Sequence, residues 1–410
     1  MRLLSCGSNS HGQLGQGNLE DSAKFTPVTF STPHDRVTNL VFGGTHTLAL
    51  CKGETNSTLF GAGSNARGQL GPGSAGNRLE FQVIGLEALL EGLERGKKSE
   101  IEGGVFRIEG IAAAWETSYV LLRSTNGRDD VLLSMGANDW DELGCTVVGD
   151  RSAVNVVDFS SLYSSTEVMR IVEIAAGPRH IVVQLEIIVG GQTTRKIVGW
   201  GASRHRQLGH LSLPSPRTAT LPTLVPFRFD TDSLAHISVG RDHTTILFQT
   251  DNSSTLILLG STKQGQLGSD ALEACAVIEG MTAVGVLAGT VECCWTGTYC
   301  ITKDSTQVVG CGSNSHDQLG RSDLASSSSF LSIPLPPNRR IMKLACGSEH
   351  VLVLLEGGEE AEVWGWGWNE HGDLGDGSLV DIANPKVVWS TGRVLDVWGG
   401  NATSWLLLDD

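Results

Sequence analysis

The sequence predicts an all-β protein, a seven-bladed β-propeller of four-stranded blades, and three observations carry that expectation. A ten-residue phrase is written seven times, a second phrase alternates strictly with it, and the two chain ends supply complementary halves of one repeat. Repeats of this length are units that bury their apolar faces only by stacking, as in solenoids and propellers.

The first phrase is CGSNSHGQLG at Cys6–Gly15. It returns at Ala62–Gly71, Met135–Gly144, Trp200–Gly209, Leu259–Gly268, Cys311–Gly320 and Trp366–Gly375. Every copy has Gly in second place, where a Cβ would be penalised, and Leu-Gly at its end. The seven leucines (14, 70, 143, 208, 267, 319 and 374) read as buried anchors between turn and sheet. Asn9, Asn65, Asn138, Asn314 and Asn369 are placed to close the turn with their side-chain amides.

The second phrase is VFGGTHTLAL at Val41–Leu50. Close copies stand at Ala175–Leu185, Ser238–Leu247 and Ala345–Leu355, and weaker ones at Ala113–Leu122, Cys293–Thr302 and Trp398–Leu407. Each repeat then reads as four strands. Strand A precedes the second phrase (Val37–Phe42), and strand B follows its His. Strand C leads into the first phrase (Ser57–Gly63), and strand D is a short Pro-Val stretch (Phe25–Phe30). B strands such as HIVVQL and HVLVLL are near-continuous apolar runs, the pattern of strands covered on both faces. Proline and polar residues put D at an edge.

The chain opens with a C–D pair (1–30) and ends with an A–B pair (394–408). Pairing them inside one sheet closes a circle and leaves only short blade edges. The repeats fill residues 1–410, which are expected to form one propeller. Polar or Pro-rich insertions at 85–104, 146–166, 211–231 and 321–339 are expected to join strand D of one blade to strand A of the next. The first contains LEALLEGLERGKKSE, which is expected to form a short helix.

With 45 acidic against 30 basic residues the formal charge is −15. A protein that binds phosphate backbones needs a basic footprint, so direct contact with nucleic acid is not expected. No apolar run approaches the ~20 residues of a membrane span, and the N-terminal apolar stretch is too short for a signal peptide. The nine cysteines are odd in number and form no C-x-x-C pair, which reads as reduced core thiols. The expected location is the cytoplasm, extending to the nucleus.

Motifs that carry chemistry are missing. There is no G-x-S-x-G and no H-E-x-x-H. GLERGKKS (Gly92–Ser99) falls one residue short of a phosphate loop between its glycines. Cys293, Cys294 and Cys300 lack metal-ligand spacing. His46, His180, His243 and His350 recur once per blade at the same turn, which implies a repeated hydrogen bond rather than a converging metal site. The chain is therefore expected to be no enzyme and to hold no cofactor or metal.

The second phrase supplies the A–B turns, all on one face, and these differ from blade to blade. A constant framework with variable tips suits recognition, and Trp and Arg are favoured anchors. The residues expected to contact a partner are Trp115, Glu116, Arg179, Arg241, Asp242, Trp295 and Glu349. Trp115 and Trp295 occupy the same place in different blades, where an indole either meets a partner or fills space above its blade.

The alternation of xGxNxxGQLG with GxxH-T-x-x-L resembles the regulator of chromosome condensation repeat family over essentially the whole chain. The resemblance implies a seven-bladed propeller closed by strands from both termini. In the founding type, an exchange factor for the GTPase Ran with a basic chromatin-binding tail, the turn face works on the GTPase. Asp242, His243, Glu349 and His350 lie at matching turns. No counterpart of the basic tail is expected, and Thr117, Gly297 and Ala402 stand where His is expected. The AWETSY and CWTGTYCIT turns look more like the alpha-tubulin suppressor, or killer-toxin-insensitivity, branch. That likeness implies a non-catalytic adaptor, monomeric or in a heterodimer with a small CSL-type zinc protein. Such a pair supports Elongator-dependent modification of the tRNA wobble uridine and diphthamide synthesis. The alternative is a guanine nucleotide exchange factor for a Ran-like small GTPase.

Overall fold

The computed structural model describes every residue except 55, 74, 94–100, 102–103, 147–153, 210–216, 227–232, 250–253, 269–274, 279–285, 303, 324, 358–360 and 410. The chain first lays down β1 (Arg2–Gly7) and β2 (Ser22–Pro27). Six four-stranded sheets then follow in order, each built from consecutive strands. Blade 1 runs from β3 (Arg36–Phe42) to β6 (Arg78–Val83), blade 2 from β7 (Phe106–Ala113) to β10 (Asn155–Val156), and blade 3 from β11 (Val168–Ala176) to β14 (Thr218–Leu224). Blade 4 runs from β15 (Ala235–Val239) to β18 (Cys275–Ile278), blade 5 from β19 (Val286–Cys293) to β22 (Ser326–Ser332), and blade 6 from β23 (Ile341–Cys346) to β26 (Ile382–Trp389). The last strands, β27 (Val394–Gly400) and β28 (Thr403–Leu408), return to the beginning.

Blade 7 is therefore the order β2-β1-β28-β27. Its closing seam pairs β1 with β28 antiparallel, from Arg2 opposite Leu408 to Gly7 opposite Thr403. The expected ring is closed from both chain ends, and all seven sheets have four strands. The innermost strands surround a central cavity of about 360 Å3.

Local chemistry explains the repeat. Strand B is the most enclosed: β24 (His350–Leu355) is buried along its whole length. Strand C ends on a Gly with positive φ, as at Gly63 (φ 99), where a Cβ would run into the Thr45 carbonyl. Asn Oδ1 then accepts the N–H of the anchor Leu, at 2.9 Å for Asn9 and Leu14 and at 2.7 Å for Asn65 and Leu70. The same bond recurs for Asn138, Asn314 and Asn369. All seven anchor leucines are at most 3% exposed. Aromatic side chains fasten blade to blade: Trp200 Nε1 donates to the Glu142 carbonyl of blade 2, and Trp366 Nε1 to the Gln318 carbonyl of blade 5.

Three expectations need correction. The insertion at 85–104 does follow strand D, and its helix is α1 (Leu86–Glu91). The stretches 146–166, 211–231 and 321–339, however, each contain the fourth strand itself, β10, β14 and β22. An edge strand has one paired side, so a polar run such as Ser326–Ser329 serves as well as an apolar one. The first blade edge is likewise shifted, to β2 at Ser22–Pro27. Finally, the residue in the His place of blade 7 is Thr403, opposite Gly7, and Ala402 lies one place earlier. Most of the phosphate-loop-like stretch Gly92–Ser99 lies outside the described residues.

Candidate functional site

The face that carries the A–B turns is held by a ring of hydrogen bonds and by a set of histidine bonds. In the ring, the turns reach from blade to blade at every junction but one. Gly44 N–H donates to the Trp115 carbonyl, Trp115 to Pro178, Arg241 to Trp295, Trp295 to Ser348 and Ser348 to Gly400. Asn401 Nδ2 links blade 7 back to the Phe42 carbonyl of blade 1. Pro178 has no N–H, so the ring is open between blades 3 and 4.

In the histidine set the side chains cross four of the seven blade junctions. His46 Nε2 lies 2.8 Å from Ser118 Oγ, and His180 Nε2 lies 2.8 Å from Thr244 Oγ1. His243 meets Thr298 at 3.2 Å and His350 meets Ser404 at 3.0 Å. The Thr244 and Thr298 hydroxyls donate onward to the Gln207 and Gln266 carbonyls, so each accepts from an Nε2–H. Burial pushes His46 and His180 down to about 3 and His243 and His350 down to about 4, which keeps all of them neutral at pH 7. These are the repeated structural bonds that the spacing implied. Cys293, Cys294 and Cys300 are likewise core side chains, at most 8% exposed.

On this rigid floor the variable tips converge. Trp115, Glu116, Arg179, Arg241 and Trp295 line one pocket of about 230 Å3, together with Ala137, Asp139, Trp140, Glu142 and Pro178. Trp115 and Trp295 come from non-adjacent blades, yet their rings are 5.7 Å apart at 56°. Trp115 is 40% exposed, and its indole lies over Gly44, where a Cβ would collide with it. Trp295 is half-buried, and its Nε1 donates to Asn401 Oδ1 at 3.0 Å. Each indole therefore covers part of a neighbouring turn while leaving surface toward the pocket. The Arg179 guanidinium lies 4.7 Å above the Trp140 ring, and Arg241 lies 6.0 Å from Trp295.

Two expected residues behave differently. Asp242 pairs with Arg241 at 3.2 Å at the edge of the site. Glu349 is only 8% exposed and is withdrawn from the surface: its carboxylate accepts from Thr296 Oγ1 and, at 2.7 Å, from Gln318 Nε2. Burial pushes its carboxyl above the usual range, and these two donors oppose that.

Trp140 and Glu142 were missed by sequence reasoning. Their signal lay in the departure of NDWDELG from the usual NSHGQLG. Glu142 occupies the place held by Gln in five of the other six copies, at 13, 69, 207, 266 and 318. Those glutamines accept the N–H two residues earlier, and Glu142 does the same from Trp140 at 2.7 Å. Burial raises its carboxyl to about 7.

Comparison with known proteins places these features. A family model described as the regulator of chromosome condensation (RCC1) repeat matches residues 2–50, 197–247 and 360–407, and a second RCC1-repeat model matches 342–373. The chain is 29% identical to a secretion-regulating guanine nucleotide exchange factor of Bos taurus, over 94% of this chain and 78% of that one. It is 25% identical to an RCC1 repeat-containing protein of Schizosaccharomyces pombe over 100% and 99% of the two chains. Among solved structures, human WBSCR16 superposes with a TM-score of 0.76 at 19% identity, covering 100% of both chains. Prp20p of Saccharomyces cerevisiae superposes at 0.70 and 19% identity, over 99% of this chain and 90% of that one. At such identities the superpositions speak for the fold.

Proposed function

We propose that this chain, a propeller of RCC1 repeats, is a non-enzymatic adaptor that holds a protein partner on its A–B turn face. One observation carries the reading: Trp115, Glu116, Arg179, Arg241 and Trp295, scattered over four blades, line a single pocket. Trp and Arg dominate interface energies when they sit at the centre of a contact. Mounted on short hydrogen-bonded turns, they lose little freedom on binding.

The finer form of the reading makes the partner a small CSL-type zinc protein in a heterodimer. The process is then Elongator-dependent wobble-uridine modification and diphthamide synthesis, in the cytoplasm and extending to the nucleus. Its support is the likeness of the AWETSY and CWTGTYCIT turns to the alpha-tubulin suppressor branch.

Affinity purification from the protein's own cytosol tests the proposal. A stoichiometric partner should be recovered with the wild type and lost from a folded Trp115→Ala, Trp295→Ala double variant. No such partner, or equal recovery with the double variant, refutes the reading. The zinc content of the recovered partner decides the finer form.

A second reading is nucleotide exchange on a Ran-like GTPase. It is favoured by the names of the relatives from Bos taurus and Mus musculus, each a secretion-regulating guanine nucleotide exchange factor, at 29% and 28% identity. Release of labelled GDP from such GTPases, unchanged at micromolar protein, would exclude it.

A further inference from the structure

The pocket beneath Trp115 and Trp295 has a charge balance that follows from neither the fold nor the repeat. Two of its ion pairs are internally satisfied. Arg67 pairs with Asp139 at 3.0 Å, and Arg241 pairs with Asp242 at 3.2 Å. What is left is Arg179, already laid over the Trp140 ring, against two carboxylates, Glu116 and Glu142. Neither carboxylate has a cationic partner among the described residues.

Glu142 is the more telling of the two. It is 4% exposed and lines the pocket, where a carboxylate costs more than the Gln of the other copies. Nothing in the fold requires the charge. The structural bond made at this place, from the N–H two residues earlier, is made equally well by Gln318, whose Oε1 accepts from His316 at 2.8 Å. The spare charge is thus available to a ligand. The aromatic walls complete the site, because indole faces attract a cation and cover the aliphatic stem that carries it. The formal charge of −15 on the whole chain adds long-range attraction of the same sign.

We propose that this pocket, which lies between Trp115, Trp140 and Trp295 with Glu142 at its wall, receives an arginine side chain from a basic segment of the partner. The inference rests on the reading of the turn face as the partner-binding face. Arginine suits the site better than lysine. Its flat guanidinium stacks on an indole and presents several donors at once to Glu142 and Glu116. Burial raises the Glu142 carboxyl to about 7, so an arriving cation displaces its proton at little cost. An acidic segment would meet Glu116 and Glu142 directly, with Arg179 alone to offset them.

Fluorescein-labelled peptides of the form Ser-Gly-Xaa-Gly-Ser test the assignment by anisotropy in low salt, with Xaa as Arg, citrulline or Glu. Citrulline has the shape of arginine without its charge. The Arg peptide should bind the full chain at least about tenfold more tightly than the citrulline peptide, a gap of ~1.4 kcal/mol. Glu142→Gln should remove most of that gap while leaving the citrulline peptide unaffected. The variant restores the residue found at five other copies, and its thermal midpoint reports that it is folded. Equal binding of Arg and citrulline peptides, tighter binding of the Glu peptide, or a gap untouched by Glu142→Gln overturns the proposal. Should the partner be lost from the Trp115→Ala, Trp295→Ala variant while the peptides show no arginine preference, the inference fails and the adaptor reading survives. An arginine preference that vanishes in Glu142→Gln, with no protein partner on this face, leaves the pocket assigned and removes the adaptor.

Discussion

Asp373 offers a sharp physical test of the repeat logic. It stands in the place where five copies carry Gln, but its side chain is one methylene shorter than Gln or Glu. Among the described residues neither carboxylate oxygen has a hydrogen-bond partner, and the residue is fully buried in the seam where blade 6 meets Gly7 of blade 7. Burial, with Asp21, Asp381 and Glu370 adding in the same direction and His371 opposing, raises its carboxyl from 3.8 to about 7.

A folded value above the unfolded one means that the native state holds this proton more tightly. The group's contribution is therefore intact below pH 3.8, declines as the pH rises, and is fully lost above about 7. At about 1.4 kcal/mol per pH unit, the raised value costs the fold on the order of 4 kcal/mol at pH 8, where the native carboxyl is ionised, and roughly 1 to 2 kcal/mol at pH 5, where folding takes up a proton. Asp373→Asn keeps the shape and removes the titration. Any cost of leaving its amide unbonded is the same at both pH values, so the difference between the two is what matters. Equilibrium urea unfolding should show the variant gaining, relative to wild type, about 2 to 3 kcal/mol more at pH 8 than at pH 5. A variant whose relative stability is the same at both pH values would refute the assignment of a buried, unpartnered carboxyl.

Other outcomes follow from the same packing. Leu319→Ala, at a side chain 1% exposed, should cost about 2 to 5 kcal/mol of unfolding free energy. Thr298→Val removes a hydroxyl that joins His243 to the Gln266 carbonyl, and leaves both polar groups buried. It should cost about 1 to 3 kcal/mol in the same assay. Trp115→Ala with Trp295→Ala should weaken partner binding while moving the thermal midpoint little. A large fall in the midpoint with binding intact would assign both indoles to the scaffold instead.

What was legible in the sequence is what repeats. The second-place glycines, the anchor leucines and the turn asparagines each solve one local problem seven or five times, so alignment against the chain itself exposed them. The closing seam was legible because the two termini carry opposite halves of a blade. Edge strands were not, since one paired side imposes little pattern: β10 has only Asn155 and Val156, and β22 begins in serine. Thr403 was misaligned because blade 7 lacks the His that marks the turn in its neighbours. The pocket was half legible. Trp115 and Trp295 are the two aromatic residues at their place in the turn, but that they approach within 5.7 Å across non-adjacent blades depends on how the ring brings its turns together. Glu349 shows the converse: its place in the turn suggested exposure, and a bond from Gln318 draws it inward.

Hydrogen–deuterium exchange of the purified complex against the free chain tests the central claim most directly. Binding on the A–B turn face predicts slowed exchange at residues 114–116, 178–179, 241–242 and 295–296, with the turns of the opposite face at 125–129 and 190–191 unchanged. Slowed exchange confined to those opposite turns, or to the outer strands of the blades, would contradict it.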